Sequence, residues 1–134
     1  MCPKGGRVTA GERPTGRFSW YNKIMRILDQ KIKRIDLKNS AFVMSGEMVK
    51  AVVDVEKEII AIDADLHADL ERFLLENGSD QLNLWGINLY FEGDLVEFDS
   101  MINIRPVQNN RSRDVEDKKT REKILKIVRR WIDA

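Results

Sequence analysis

Val49-Lys50-Ala51-Val52-Val53-Asp54-Val55-Glu56-Lys57-Glu58-Ile59-Ile60-Ala61-Ile62 is the stretch on which the fold turns. Val49, Ala51, Val53 and Val55 alternate with Lys50, Val52, Asp54 and Glu56. A period of two with β-branched side chains describes a half-buried strand. The apolar run resumes at Ile59 after Lys57-Glu58. A two-residue loop there pairs Val55 with Ile60 and Val53 with Ile62, core against core, and turns Asp54 to the other face. Glu58 stands where such a turn favours glycine or asparagine, because the backbone there takes a positive φ.

Working outward, residues 82–91 and 95–105 read as a second hairpin. Trp85, Ile87, Leu89 and Phe91 share one face of its first strand, and Val96, Phe98, Ile102 and Ile104 share one face of its second. A turn at Gly93-Asp94 pairs Phe91 with Val96, Leu89 with Phe98 and Trp85 with Ile102, and a one-residue slip would expose them all. The opposite face then carries Tyr90 beside Glu97, Asn88 beside Asp99, Leu84 beside Asn103 and Leu82 beside Arg105. Pro106, lacking an N–H, ends the ladder. Between the hairpins, Leu66, Leu70, Phe73 and Leu74 form a helical stripe that Asp63 or Asp65 can cap and Gly78 can end. His67 and Glu71 lie on its flank. A last helix begins at Asp117 and buries Ile124, Ile127, Val128 and Trp131, widened by Leu125 and Ile132, with Arg129 and Arg130 in its final turn. Residues 24–35 favour a helix by periodicity, with a short strand over 25–32 and a helix over 37–44 as the alternative. The fold class is α+β, a mostly antiparallel sheet of two hairpins with an intervening helix and a C-terminal helix.

The 134 residues suit one domain, and 43% apolar with 34% charged composition excludes collagen-like or fully disordered chains. Cys2 is the single cysteine, so an internal disulfide framework and a multi-cysteine zinc site are excluded. The longest run without a charged side chain, 81–91, is too short to span a bilayer. No signal-peptide apolar region follows the N-terminal basic residues. A soluble, cytoplasmic protein without a membrane partner is expected. Net charge is +1, but Lys4, Arg7, Arg13 and Arg17 against Glu12 concentrate positive charge at the start. Residues 1–24 read as a disordered basic leader rather than a nucleic-acid-binding arm, because they offer few apolar side chains to offset chain entropy. Residues 25–134 read as a single α+β domain.

Two stretches carry a likeness. One runs from His67-Ala-Asp-Leu-Glu71 through Leu75-Glu-Asn-Gly-Ser79 and Gln81 to Leu84-Trp-Gly-Ile-Asn88. The other is Phe98-Asp-Ser-Met-Ile-Asn-Ile-Arg-Pro106, with Gln108, Asn110-Arg-Ser112 and Val115-Glu-Asp117. Over roughly 48–132 the chain resembles a family of small uncharacterised prokaryotic proteins, a domain of unknown function. It departs from that pattern at Glu58, where glycine is usual, and in residues 1–24. The resemblance implies a shared fold unit and no activity.

Three chemistries are weighed. His67, the single histidine, with Glu71 one helical turn on and Asp54 or Asp63 as a third ligand, can be drawn as a metal centre, but a lone His-x-x-x-Glu is a weak signal and reads first as a cap and solvated helix face. Ser79, Ser100 and Ser112 are available nucleophiles, none near a histidine in sequence. Asn88, Asp99, Asn103, Arg105, Gln108, Asn110 and Arg111 supply donors and acceptors on a hairpin face and the loop after it, suited to a small anionic ligand. Their plain alternative is an internal network in which Asn103 and Arg105 satisfy buried backbone groups. No cofactor is expected, self-association is, and the slightly acidic body argues against nucleic acid. The chain is therefore read as a binding or interaction module using that polar face and loop, with a metal-assisted hydrolase on His67, Glu71 and Asp54 as the alternative. In this register the 66–77 helix covers the Val53–Trp85 face, so His67 and Asn103 are expected not to share a pocket.

Overall fold

The computed structural model describes residues 24–133. The leader expected over 1–24 lies outside the described residues, apart from Ile24. Strands β1 (Arg26–Ile27), β2 (Ile32–Lys33), β3 (Met48–Asp54), β4 (Ile59–Ile62), β5 (Leu84–Tyr90), β6 (Val96–Glu97) and β7 (Ile132–Asp133) alternate with helices α1 (His67–Glu76) and α2 (Lys118–Trp131). The main sheet has the order β1-β4-β3-β5-β6 with every pair antiparallel, and β2 pairs in parallel with β7. The α+β class and its mostly antiparallel sheet stand. Residues 26–33 depart from their helical periodicity: β1 lines the outer edge of β4, whose main-chain groups would otherwise lack partners. Arg34–Asn39 then forms a 3-10 turn in place of a longer helix.

The first hairpin closes two residues earlier than expected, with Val53 opposite Ile60 and Asp54 opposite Ile59. The cause is Asp54. Its Oδ1 accepts the N–H groups of Glu56 and Lys57, both at 2.9 Å, and its carbonyl accepts that of Glu58 at 2.8 Å. Val55 is thereby drawn into a four-residue loop, and Glu58 takes the left-handed conformation at φ 58°. A shift of two keeps each side chain on its expected face.

That parity explains why the core survives the slip. Val49, Ala51, Val53, Ile60, Ile62, Trp85, Ile87 and Leu89 meet Ile124, Ile127, Val128 and Ile132 of the C-terminal segment. Val52, Ala61 and Leu84, on the opposite face, meet Leu70 and Leu74 of α1. Both faces are thus covered, which is why Leu84 to Leu89 are all buried. The expectation that α1 covers the Val53–Trp85 face is corrected. α2 takes that face with its broad stripe, and α1 takes the face where Ala61 and Gly86 leave room.

Helix ends fall partly as read. Asp117 accepts the Thr120 N–H at 2.9 Å and starts α2. Gly78, at φ +96°, follows α1, and the Ser79 N–H returns to the Leu74 carbonyl at 2.9 Å. Neither Asp63 nor Asp65 caps α1, whose N-cap is Leu66 without a side-chain bond. Asp63 instead accepts from Arg26 Nε at 2.8 Å. Leu66 is exposed, and His67 is buried rather than flanking.

The second hairpin is the larger departure. Asn88 faces Glu97 and Leu89 faces Val96, and β6 ends there. The chain leaves the sheet at Phe98, turns through Met101–Asn103 with Ser100 Oγ accepting from Ile102 N–H at 3.3 Å, and returns at Asn103. The expected pairing of Trp85 with Ile102 does not form, because Ile102 packs with the α1 cluster instead.

Candidate functional site

Gly86 organises the first half of the site. A Cβ there would lie 2.5 Å from Ser100 Oγ and 3.1 Å from His67 Cδ2, so both side chains occupy the space glycine leaves. Asn103, fully buried, accepts the Gly86 N–H at 2.8 Å and donates to its carbonyl at 3.0 Å. One carboxamide therefore replaces the missing strand partner. His67 and Asn103, expected to be apart, serve adjacent residues of β5: the His67 ring nitrogen Nε2 lies 2.8 Å from the Ile87 carbonyl. Since a carbonyl only accepts, Nε2 carries the proton. Burial lowers the His67 pKa to about 4, outweighing the Ile87 bond that raises it, so the ring is neutral at pH 7. Ser100 is the histidine's neighbour across 33 sequence positions, a proximity that spacing does not reveal. It is buried, and its hydroxyl is engaged by the Ile102 N–H.

The remaining polar set builds the following loop. Arg105 donates to the carbonyls of Gln81 and Leu84 and stacks 4.2 Å from the Trp85 ring centroid. Burial lowers its pKa, and Glu71 nearby opposes that shift. Main-chain bonds in both directions between Arg105 and Asn110 close a tight loop whose Asn109 is left-handed at φ 61°. Asn110 Nδ2 donates to the carbonyls of Asn103, Ser112 and Asp114, and its Oδ1 accepts from Glu116 N–H at 2.8 Å. Gln108 donates to the Leu82 carbonyl at 3.0 Å, while its Oε1 is buried without a hydrogen-bond partner. Asn88 donates to Glu97, Asp99 accepts from Arg113 Nε at 2.6 Å, and the Arg111 side chain is exposed. Arg105 thus serves backbone carbonyls, and Asp99 pairs with Arg113.

The carboxylates drawn around His67 do not converge on it. Asp54 Oδ2 accepts the Ser79 hydroxyl at 2.6 Å beyond the C-terminal end of α1, and Oδ1 holds the hairpin turn. Glu71 meets Gln81 Nε2 at 3.4 Å. Among the described residues, no group of three or more His, Cys, Asp or Glu is placed to hold a metal ion.

A cleft of about 370 Å³ opens beside this loop, lined by Trp85, Gln108, Asn109, Asn110, Glu116, Asp117 and Thr120. Gln108 and Asn110 belong to the set read from sequence. Trp85 reads as core, Asp117 as a cap and Thr120 as helix, while Glu116 carries no reading of its own, and only the loop's return over β5 brings them together. Glu116 is held below the usual carboxylate range by the Ser112 hydroxyl, and Asp117 by Thr120. The lining is rich in acceptors.

A family model described as Protein of unknown function (DUF5674) matches residues 26–131. No curated protein and no solved structure matches the chain. No helix among the described residues is long and apolar enough to cross a membrane.

Proposed function

Because the chain belongs to the DUF5674 family, whose description assigns no activity, we propose from its own geometry that residues 25–134 act as one α+β binding module. Its site is the cleft beside the 105–117 loop. The observation that carries this reading is the gathering of Gln108, Glu116 and Asp117 along one cleft. Side-chain oxygens grouped in this way favour a hydrogen-bond donor. The preferred ligand is therefore a small amine, guanidinium or amide rather than the small anion first expected, since neither Arg105 nor Arg111 lines the cleft.

Titrating ¹⁵N-labelled protein with agmatine, a primary amide and inorganic phosphate tests the reading. The expected result is a saturable shift of the Asn109 and Asn110 amides and the Trp85 indole with the donors, lost in Gln108→Ala. Shifts with phosphate alone, or no saturable shift, would overturn it. Self-association belongs to the same reading, supported by the exposed Leu82, Met101 and Val107. A monomer by light scattering at all concentrations would remove that part. The hydrolase reading loses ground because Asp54 and His67 are each committed to separate structural bonds.

A further inference from the structure

The 14 residues of α2 hold seven basic side chains and one acid, Glu122. Lys119, Lys123, Lys126 and Arg130 recur at steps of four, three and four, so they form one stripe along the helix. Ile124, Ile127 and Val128 are buried on the far side. The stripe lines a shallow groove of about 720 Å³ with Glu122, Ile127 and Arg129, and Glu58 closes one end by pairing with Arg130 at 2.9 Å. Among the described residues, Lys119, Lys123, Lys126 and Arg129 have no ion-pair partner.

Among the described residues, the three lysines of this stripe make no ion pair that serves the fold. Like charges three and four apart on a helix repel. The first turn carries Lys118 and Lys119 and no acid, where the helix dipole favours the opposite sign. The near-neutral total of +1 conceals the segregation, because the acids lie in the rest of the chain.

We propose that this stripe is a docking surface for the phosphate backbone of nucleic acid, bound without base readout. Three observations favour that partner. The apolar face of α2 is committed to the core, so the helix cannot lay it into a lipid surface. The most exposed large apolar side chains, including Leu82, Met101 and Val107, all lie off this helix, which leaves the stripe without the anchors of a protein interface. Lysine ammonium groups on flexible stems suit phosphates as point charges, and phosphate contact needs no further chemistry.

Fluorescence anisotropy of the full chain with a labelled 20-base-pair DNA duplex, from 50 to 300 mM KCl, tests it. Four phosphate contacts give a log–log salt slope of about −3.6. The Lys119→Gln/Lys123→Gln/Lys126→Gln variant, whose substitutions are all exposed, is expected to flatten the slope by about 2.7 while keeping its Tm. Should that variant fold poorly, Lys123→Gln/Lys126→Gln is expected to flatten it by about 1.8. No binding at 50 mM KCl overturns the proposal. So does an unchanged slope in a folded variant, which would place binding on Lys4, Arg7, Arg13 and Arg17. Binding to phosphatidylserine vesicles without binding to the duplex overturns it as well.

Discussion

Asn103 lies across from Gly86 and takes both of that residue's outward main-chain bonds, N–H and C=O, with its single carboxamide. Asn103 stands six residues beyond Glu97, while Gly86 stands only two before Asn88, the partner of Glu97. The excursion through 98–102 therefore consumes four extra residues, and the side chain completes the ladder that the backbone abandons. Replacing Asn103 with Leu would leave both groups of Gly86 buried and unpaired. A loss of about 3 kcal/mol is expected from urea denaturation. A loss under 1 kcal/mol would mean that the backbone can re-pair without it.

Gly86→Ala is expected to destabilise by about 2–3 kcal/mol, because its Cβ would meet Ser100 Oγ and Cβ at 2.5 and 2.6 Å. The steric cause is separable. Gly86→Ala/Ser100→Gly should recover part of the loss, whereas a backbone-conformation cause would leave the double variant no better than the single.

His67 makes stability depend on pH. Its folded pKa of about 4 lies below the ordinary histidine value of 6.5, so the unfolded chain takes up this proton first as pH falls. Stability is complete above about pH 6.5 and declines through the window down to about 4. At pH 5 the decline is about 2 kcal/mol. His67→Gln removes this component, so the difference in unfolding free energy between parent and variant should change by that amount between pH 7 and pH 5. A constant difference would show that the ring titrates normally in the fold.

Glu58→Gly relieves a left-handed backbone at φ 58° but gives up the exposed pair with Arg130. The conformational gain of about 1 kcal/mol exceeds what an exposed pair returns. A rise in Tm of a few degrees is expected. A fall would show that the Glu58–Arg130 clamp matters more than the turn.

Much of the fold was legible because short-range rules decide it. The alternation in 49–62 named the strand faces, Asp117 and the 124–131 stripe named the last helix, and the awkwardness of Glu58 appears as its positive φ. The candidate site was legible only in composition: the Asn, Gln and Arg residues that build the loop stood out, while their tasks did not. The charge run of α2 was equally visible, yet total charge hid it.

What sequence alone determined was periodicity in 49–62, 84–90 and 118–131: there it named strand or helix and which side chains share a face, because these follow from repeats of 2 and 3.6 along one chain. What only tertiary structure decided was partnership. Asp54 shortened the first hairpin by bonding its own loop, and α2 outcompeted α1 for the Val53–Trp85 face. Gly86 then admitted His67, Ser100 and Asn103 to one place. Each depends on which distant groups reach the same unsatisfied backbone or the same space, and local pattern carries no record of that competition.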